Sequence, residues 1–196
     1  KALPDWYFLF AIFKNIDADG KDRNGKAVHV TYSMSQDEVN VARENAKEFE
    51  EYMNSVGVMR AHMDVVEIDE PITELADRDD GSYLNTKLAA TLLKNKVDLD
   101  RYDHVTSIVS LNNLDTKWLG LGGVSVESGT GHSCINNRNR ENARKNCTAE
   151  NTTWSAAGHV HEFLHFMENQ TKKFGAKFGL HDVRINHYMP DGDEGK

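Results

Sequence analysis

The chain has 196 residues, 39% apolar and 28% charged, with 31 acidic and 23 basic residues giving a formal charge of −8. That length supports one substantial core, and the composition is ordinary for a globular domain. No basic block points to nucleic acid, and no apolar run approaches the ~20 residues that cross a bilayer.

"WYFLFAIFKNI" (6–16) is rich in aromatic and β-branched residues and reads as a buried strand entering a turn or hairpin loop at "DADGKDRNGK". Asp17, Asp19 and Asp22 hint at calcium. An EF-hand loop needs Gly at its sixth position and Glu at its twelfth, where this chain has Asp22 and Val28, so a solvated turn is expected. "HVTYSM" (29–34) predicts a short strand. From Ser35 a capping box with Glu38 starts a helix, Val39, Ala42, Ala46, Phe49 and Met53 follow at helical spacing, and Gly57 closes it.

"VMRAHMDVVEI" (58–68) predicts a strand, and 82–99 a second helix with Leu84, Leu88, Leu92 and Leu93 on its inner face. "HVTSIVSL" (104–111) reads as a third buried strand and "WLGLGGVSVES" (118–128) as a glycine-rich strand or loop. Cys134 and Cys147 lie in the polar stretch "GTGHSCINNRNRENARKNCTAENTT". Thiols in such surroundings suit a disulfide better than a buried structural role, and a disulfide suits a secreted or cell-surface protein. The chain begins at Lys1 rather than Met, so a processed form or a piece cut from a longer chain is expected.

A helix is predicted from about Thr153 to Phe174, and it carries His161-Glu162-Phe163-Leu164-His165. This is the H-E-x-x-H pattern. Residues four apart lie about one turn apart on nearly one face, so His161 and His165 can reach the same ion. Glu162 is turned ~100° from His161, beside a metal rather than on it. There it suits a general base acting on water that zinc has made acidic. The stripe Val160, Phe163, Leu164, Met167 and Phe174 is expected to pack on the domain, and His132 and His159 read as ordinary polar histidines.

A catalytic zinc takes three protein ligands and keeps one position open. Glu168 follows His165 on the same face, but a metal between the two histidines lies ~7 Å back along the axis. Glu168 therefore reads as a group that orients His165 or a neighbouring base. His181 has the reach: the helix carries the chain ~13 Å away after His165, and Gly175 to His181 can span ~20 Å. His181 is the expected third ligand, with Asp182, His187 and Glu168 as alternatives.

On "HEFLH" and the alternating strands and helices before it, the chain resembles the zincin superfamily of zinc metallopeptidases over about residues 6–174. The resemblance implies an α+β fold, a twisted mixed sheet packed on helices with the H-E-x-x-H helix at the active site. It also implies a single catalytic domain over 1–196, with an upper part to about 174 and the start of a lower part at 175–196. "GLHDVRINHYMP" resembles the end of a metzincin site, His181 and Met189 matching the third histidine and the turn methionine. The compact metzincin pattern H-E-x-x-H-x-x-G-x-x-H is not kept: Glu168 and Thr171 hold its Gly and third His positions. A thermolysin-like site with a downstream glutamate is the rival subclass.

The resemblance further implies a protein or peptide substrate pairing antiparallel to an edge strand above the helix, for which "WLGLGGVSV" is the candidate. Tyr188 is the candidate hydrogen-bond donor to the oxyanion. The expected function is zinc-dependent peptide hydrolysis, with Glu162 and Tyr188 catalytic, His161, His165 and His181 on Zn2+. The alternative is a zinc-stabilised, non-catalytic binding or adhesion module of a secreted protein.

Overall fold

The computed structural model describes residues 2–78, 81–111, 120–125, 131–136 and 154–173. Strand β1 (Asp5–Phe13) is followed by a hairpin of β2 (Asn15–Lys21) and β3 (Ala27–Ser33), helix α1 (Gln36–Ser55) and strand β4 (Arg60–Ile68). A second hairpin, β5 (Leu75–Arg78) and β6 (Gly81–Leu84), leads to α2 (Thr86–Lys94), a 3-10 turn at Leu99–Arg101 and β7 (His104–Val109). Strands β8 (Gly120–Ser125) and β9 (Gly131–Asn136) precede helix α3 (Trp154–Lys173).

Among the described residues, five strands form one sheet in the order β4-β1-β7-β9-β8. The first four run parallel, and β8 lies antiparallel on β9 at one edge. The fold is thus mixed α and β, with a mixed sheet. β1 sits inside the sheet, and every residue from Phe8 to Phe13 is buried. A strand covered on both faces reads as a continuous apolar run rather than an alternation, which is why "FLFAIF" contains no polar residue.

Leu9, Ala11 and Phe13 point to one face, where α2 and residues of both hairpins cover them. Phe8, Phe10 and Ile12 point to the other, beneath α1 and α3. The connections from β1 through α1 to β4, and from β4 through α2 to β7, step in opposite directions across the sheet. Two crossovers of the same hand then lie on opposite faces. Helix α3 therefore shares its face with α1, and it packs against β8 and β9.

Two expectations change. The first hairpin begins earlier than the polar composition implied: Asn15–Lys21 is paired strand, and the turn narrows to Asp22–Lys26. Asp22 Oδ1 accepts from the backbone N–H of Asn24 at 2.8 Å and of Lys26 at 3.0 Å, and Gly25 takes φ 78°. Asp17 and Asp19 instead flank His29, each within 2.9 Å of a ring nitrogen. The second helix is shorter than 82–99. Gly81–Leu84 pairs with β5, so Leu84 is a core strand residue, and Asn85 caps α2 by accepting from Lys87 and Leu88 N–H. A cap that good sets the start of a helix, whatever apolar residues precede it.

The start of α1 is as predicted, and it does more than cap. Ser35 and Glu38 exchange the two capping-box bonds. The Glu38 carboxylate also accepts from Tyr32 Oη at 2.7 Å and from Ser110 Oγ, just past β7, at 3.0 Å. Burial works against ionisation of Glu38, but the bonds from Tyr32, the Ser35 backbone and Ser110 outweigh it and hold its pKa below the ordinary value. A folded pKa below the unfolded one gives stability that is present above the unfolded value and lost as pH falls through the folded one. Glu38→Gln is expected to cost about 1–3 kcal/mol near neutral pH by chemical denaturation. That deficit relative to the parent should shrink as the pH is lowered through and below the ordinary carboxylate range; a pH-independent deficit would contradict the assignment.

Candidate active site

Helix α3 meets the sheet through His159, Glu162, Phe163 and Phe166, all buried. These positions recur at i, i+3, i+4 and i+7, one face of a helix. The sequence expectation placed the apolar stripe slightly around the helix, through Val160, Leu164 and Met167; these three are only partly buried, and Phe174 lies outside the described residues. Phe163, 1% exposed, is the centre of the contact. Its ring meets Trp6 and Phe8 of β1, Phe49 of α1 and His104 of β7 edge-on, with centroids 5.2–6.1 Å away.

His161 and His165 occupy a second face of α3, about 130° from the centre of the buried one at 100° per residue. Their Nε2 atoms face each other at 3.1 Å, and their rings stand nearly perpendicular at 88°. The opposite nitrogen of His165, Nδ1, lies 3.5 Å from Glu168 Oε2. The helix therefore gives the two histidines a converging pair of nitrogens and sets Glu168 against the outer side of one ring.

Glu162 falls between the two faces. It is 9% exposed, and burial pushes its carboxyl up to about 8. A carboxylate in such surroundings is a stronger base than a solvated one, because desolvation penalises the charged form. One turn earlier, at Gly158, a Cβ would meet nothing within 4 Å among the described residues.

The residue missed by sequence reasoning is His159. It is 2% exposed rather than a surface histidine, and its ring lies 4.7 Å from that of Phe10. Burial pushes its pKa down to about 3, so the ring is neutral at ordinary pH, and among the described residues its Nδ1 has no hydrogen-bond partner. The signal was its spacing from Phe163 and Phe166, masked by its polarity.

The paired nitrogens suit a zinc ion. Two ligands in a tetrahedron at ~2.0–2.1 Å from zinc are about 3.3 Å apart, close to the 3.1 Å between the two Nε2 atoms. Among the described residues no group of three His, Cys, Asp or Glu side chains is gathered to hold a metal. The expected third ligand His181, its alternatives Asp182 and His187, the candidate oxyanion donor Tyr188, and the whole segment 175–196 lie outside the described residues. So does Cys147. Cys134 and His132 belong to β9, next to β8.

Among the described residues, the sheet's two edges differ. At β4 the backbone is occupied by α1: Ala61 N–H donates to Asn54 Oδ1 at 2.9 Å, Asn54 Nδ2 donates to Ala61 O at 3.1 Å, and Met63 N–H donates to Glu50 Oε1 at 3.0 Å. Helix side chains thereby block strand addition on that side. β8, the other edge, has the sequence Gly-Leu-Gly-Gly-Val-Ser, an irregular register between Leu121 and Val124, and α3 packed against it. No helix among the described residues is long and apolar enough to cross a membrane. No protein-family model matches the sequence, and no curated protein matches it.

Proposed function

We propose that the chain is a zinc-dependent peptidase of zincin type, hydrolysing peptide bonds with Glu162 as general base. The observation that carries this reading is the approach of His161 and His165 through their Nε2 atoms at 3.1 Å on one helix, with a buried carboxylate, Glu162, next to them in sequence. A structural zinc site has no use for such a carboxylate. In this reading His181 completes the ligand set, and Tyr188 donates to the oxyanion.

Zinc bound to the histidines would supply the Lewis acidity that makes water a nucleophile near neutral pH. Glu162 takes the proton of the attacking water and delivers it to the departing amine, one carboxylate serving both steps. His161 and His165 are held at fixed spacing by the helix, so binding zinc requires little rearrangement of the pair. Strand β8 supports a peptide as the substrate. Among the described residues it is the edge that α1 does not cap, it runs antiparallel to its neighbour, and its glycines allow a close backbone approach. An extended peptide added there would lie beside α3.

Purified protein is expected to take up about one zinc per chain, to cleave members of a broad peptide library, and to lose cleavage on chelation and regain it with added zinc. Cleavage that persists in chelator-treated, zinc-free protein would rule out the zinc mechanism. Zinc uptake with no cleavage of any library member would favour a zinc-stabilised binding or adhesion module instead.

A further inference from the structure

We infer that Glu168 is a positioning residue for His165, fixing which ring nitrogen carries the proton so that Nε2 is free for the metal; this rests on the zinc reading above. Glu168 follows His165 by three residues, so the helix itself sets the two side chains side by side. Its Oε2 lies 3.5 Å from Nδ1, the nitrogen turned away from His161. That distance is within ion-pair range and long for a hydrogen bond. Glu168 thus sits on the outer side of the ring whose inner nitrogen faces His161.

The chemistry follows from the two nitrogens. A neutral imidazole has one N–H and one lone pair. A carboxylate beside Nδ1 draws the proton there, which leaves the lone pair on Nε2. In the zinc-free protein that lone pair accepts from His161 Nε2–H across the 3.1 Å gap; with zinc present it is the ligand atom. Side chains 22% and 13% exposed shield the His165–Glu168 contact partly from water, so it is screened less than a surface pair. Metal-ligating histidines commonly donate their other nitrogen to a carboxylate, and loss of that partner typically costs 10–100-fold in metal affinity or activity.

Zinc affinity should be measured by competition with a chromophoric chelator for the parent, Glu168→Ala and Glu168→Gln, and the His165 tautomer by 15N-resolved NMR of each protein without zinc. The expected result is a loss of affinity of about 10–100-fold for Glu168→Ala. Glu168→Gln, which keeps an acceptor but not the charge, should fall between it and the parent. His165 should be mainly Nδ1–H in the parent and move toward Nε2–H in Glu168→Ala. A purely structural role would not move that tautomer. A parent that binds zinc, with affinity unchanged in Glu168→Ala, overturns this inference and leaves the peptidase reading in place. A parent that binds no zinc overturns both.

Discussion

Glu162→Gln is expected to leave zinc content and folding near those of the parent while peptide hydrolysis falls by at least ~10²–10⁴-fold, the usual contribution of a general base. The substitution keeps the size and shape of the side chain and removes its ability to take a proton. It leaves the contacts of His161 and His165 unchanged, since Glu162 lies on a different face of α3 from the histidine pair. Burial makes the test sharper. Glu162 is 9% exposed, so solvent buffer has little direct route to replace it, whereas a base at an open surface is partly replaced by water or buffer. Zinc content by elemental analysis, circular dichroism and turnover on a peptide library together separate the outcomes. Equal turnover in parent and variant would remove Glu162 from the mechanism. Loss of zinc together with activity would instead make Glu162 part of the metal site's support.

Much of this arrangement is legible in the sequence because local physics dominates it. The continuous apolar run of β1 requires a strand with both faces covered, and the Ser35–Glu38 capping box marks the start of α1 to the residue. The spacing of His161 and His165 converges in space because four residues are close to one helical turn. What was misread depends on tertiary contacts or on polar residues in apolar roles. Leu84 fits a helical spacing with Leu88, yet pairing with β5 and the Asn85 cap assign it to a strand. Asp17 and Asp19 read as turn residues until their partner His29, across the hairpin, is considered. On α3 the true buried face includes His159 and Glu162, and a reading weighted by hydrophobicity rotates the helix away from them. The strand order, which separates a capped edge at β4 from the edge at β8 beside α3, has no local signature at all.

The largest effect on stability is expected at Phe163, the residue between Glu162 and Leu164. Phe163→Ala should destabilise the protein by about 3–5 kcal/mol in chemical denaturation, the usual range for removing a buried phenylalanine. The site gives reason to expect the upper part of that range. The ring is 1% exposed and is met by Trp6, Phe8, Phe49 and His104 from three other elements. Neighbours fixed on two strands and a second helix cannot all move inward, so the cavity stays open and its cost is retained. Against a total stability of roughly 5–15 kcal/mol for a domain, that is a large fraction. Function should suffer in the surviving folded protein as well. α3 carries the histidine pair and Glu162 on the turns adjoining this ring, and displacements of about 1 Å at a reacting group can cost ~10²-fold in rate. Phe163→Leu refills most of the volume and should recover much of both losses. If Phe163→Ala costs less than about 1 kcal/mol, well short of that range, α3 is not anchored to the sheet through this ring, and the positions of His161, Glu162 and His165 would need another explanation.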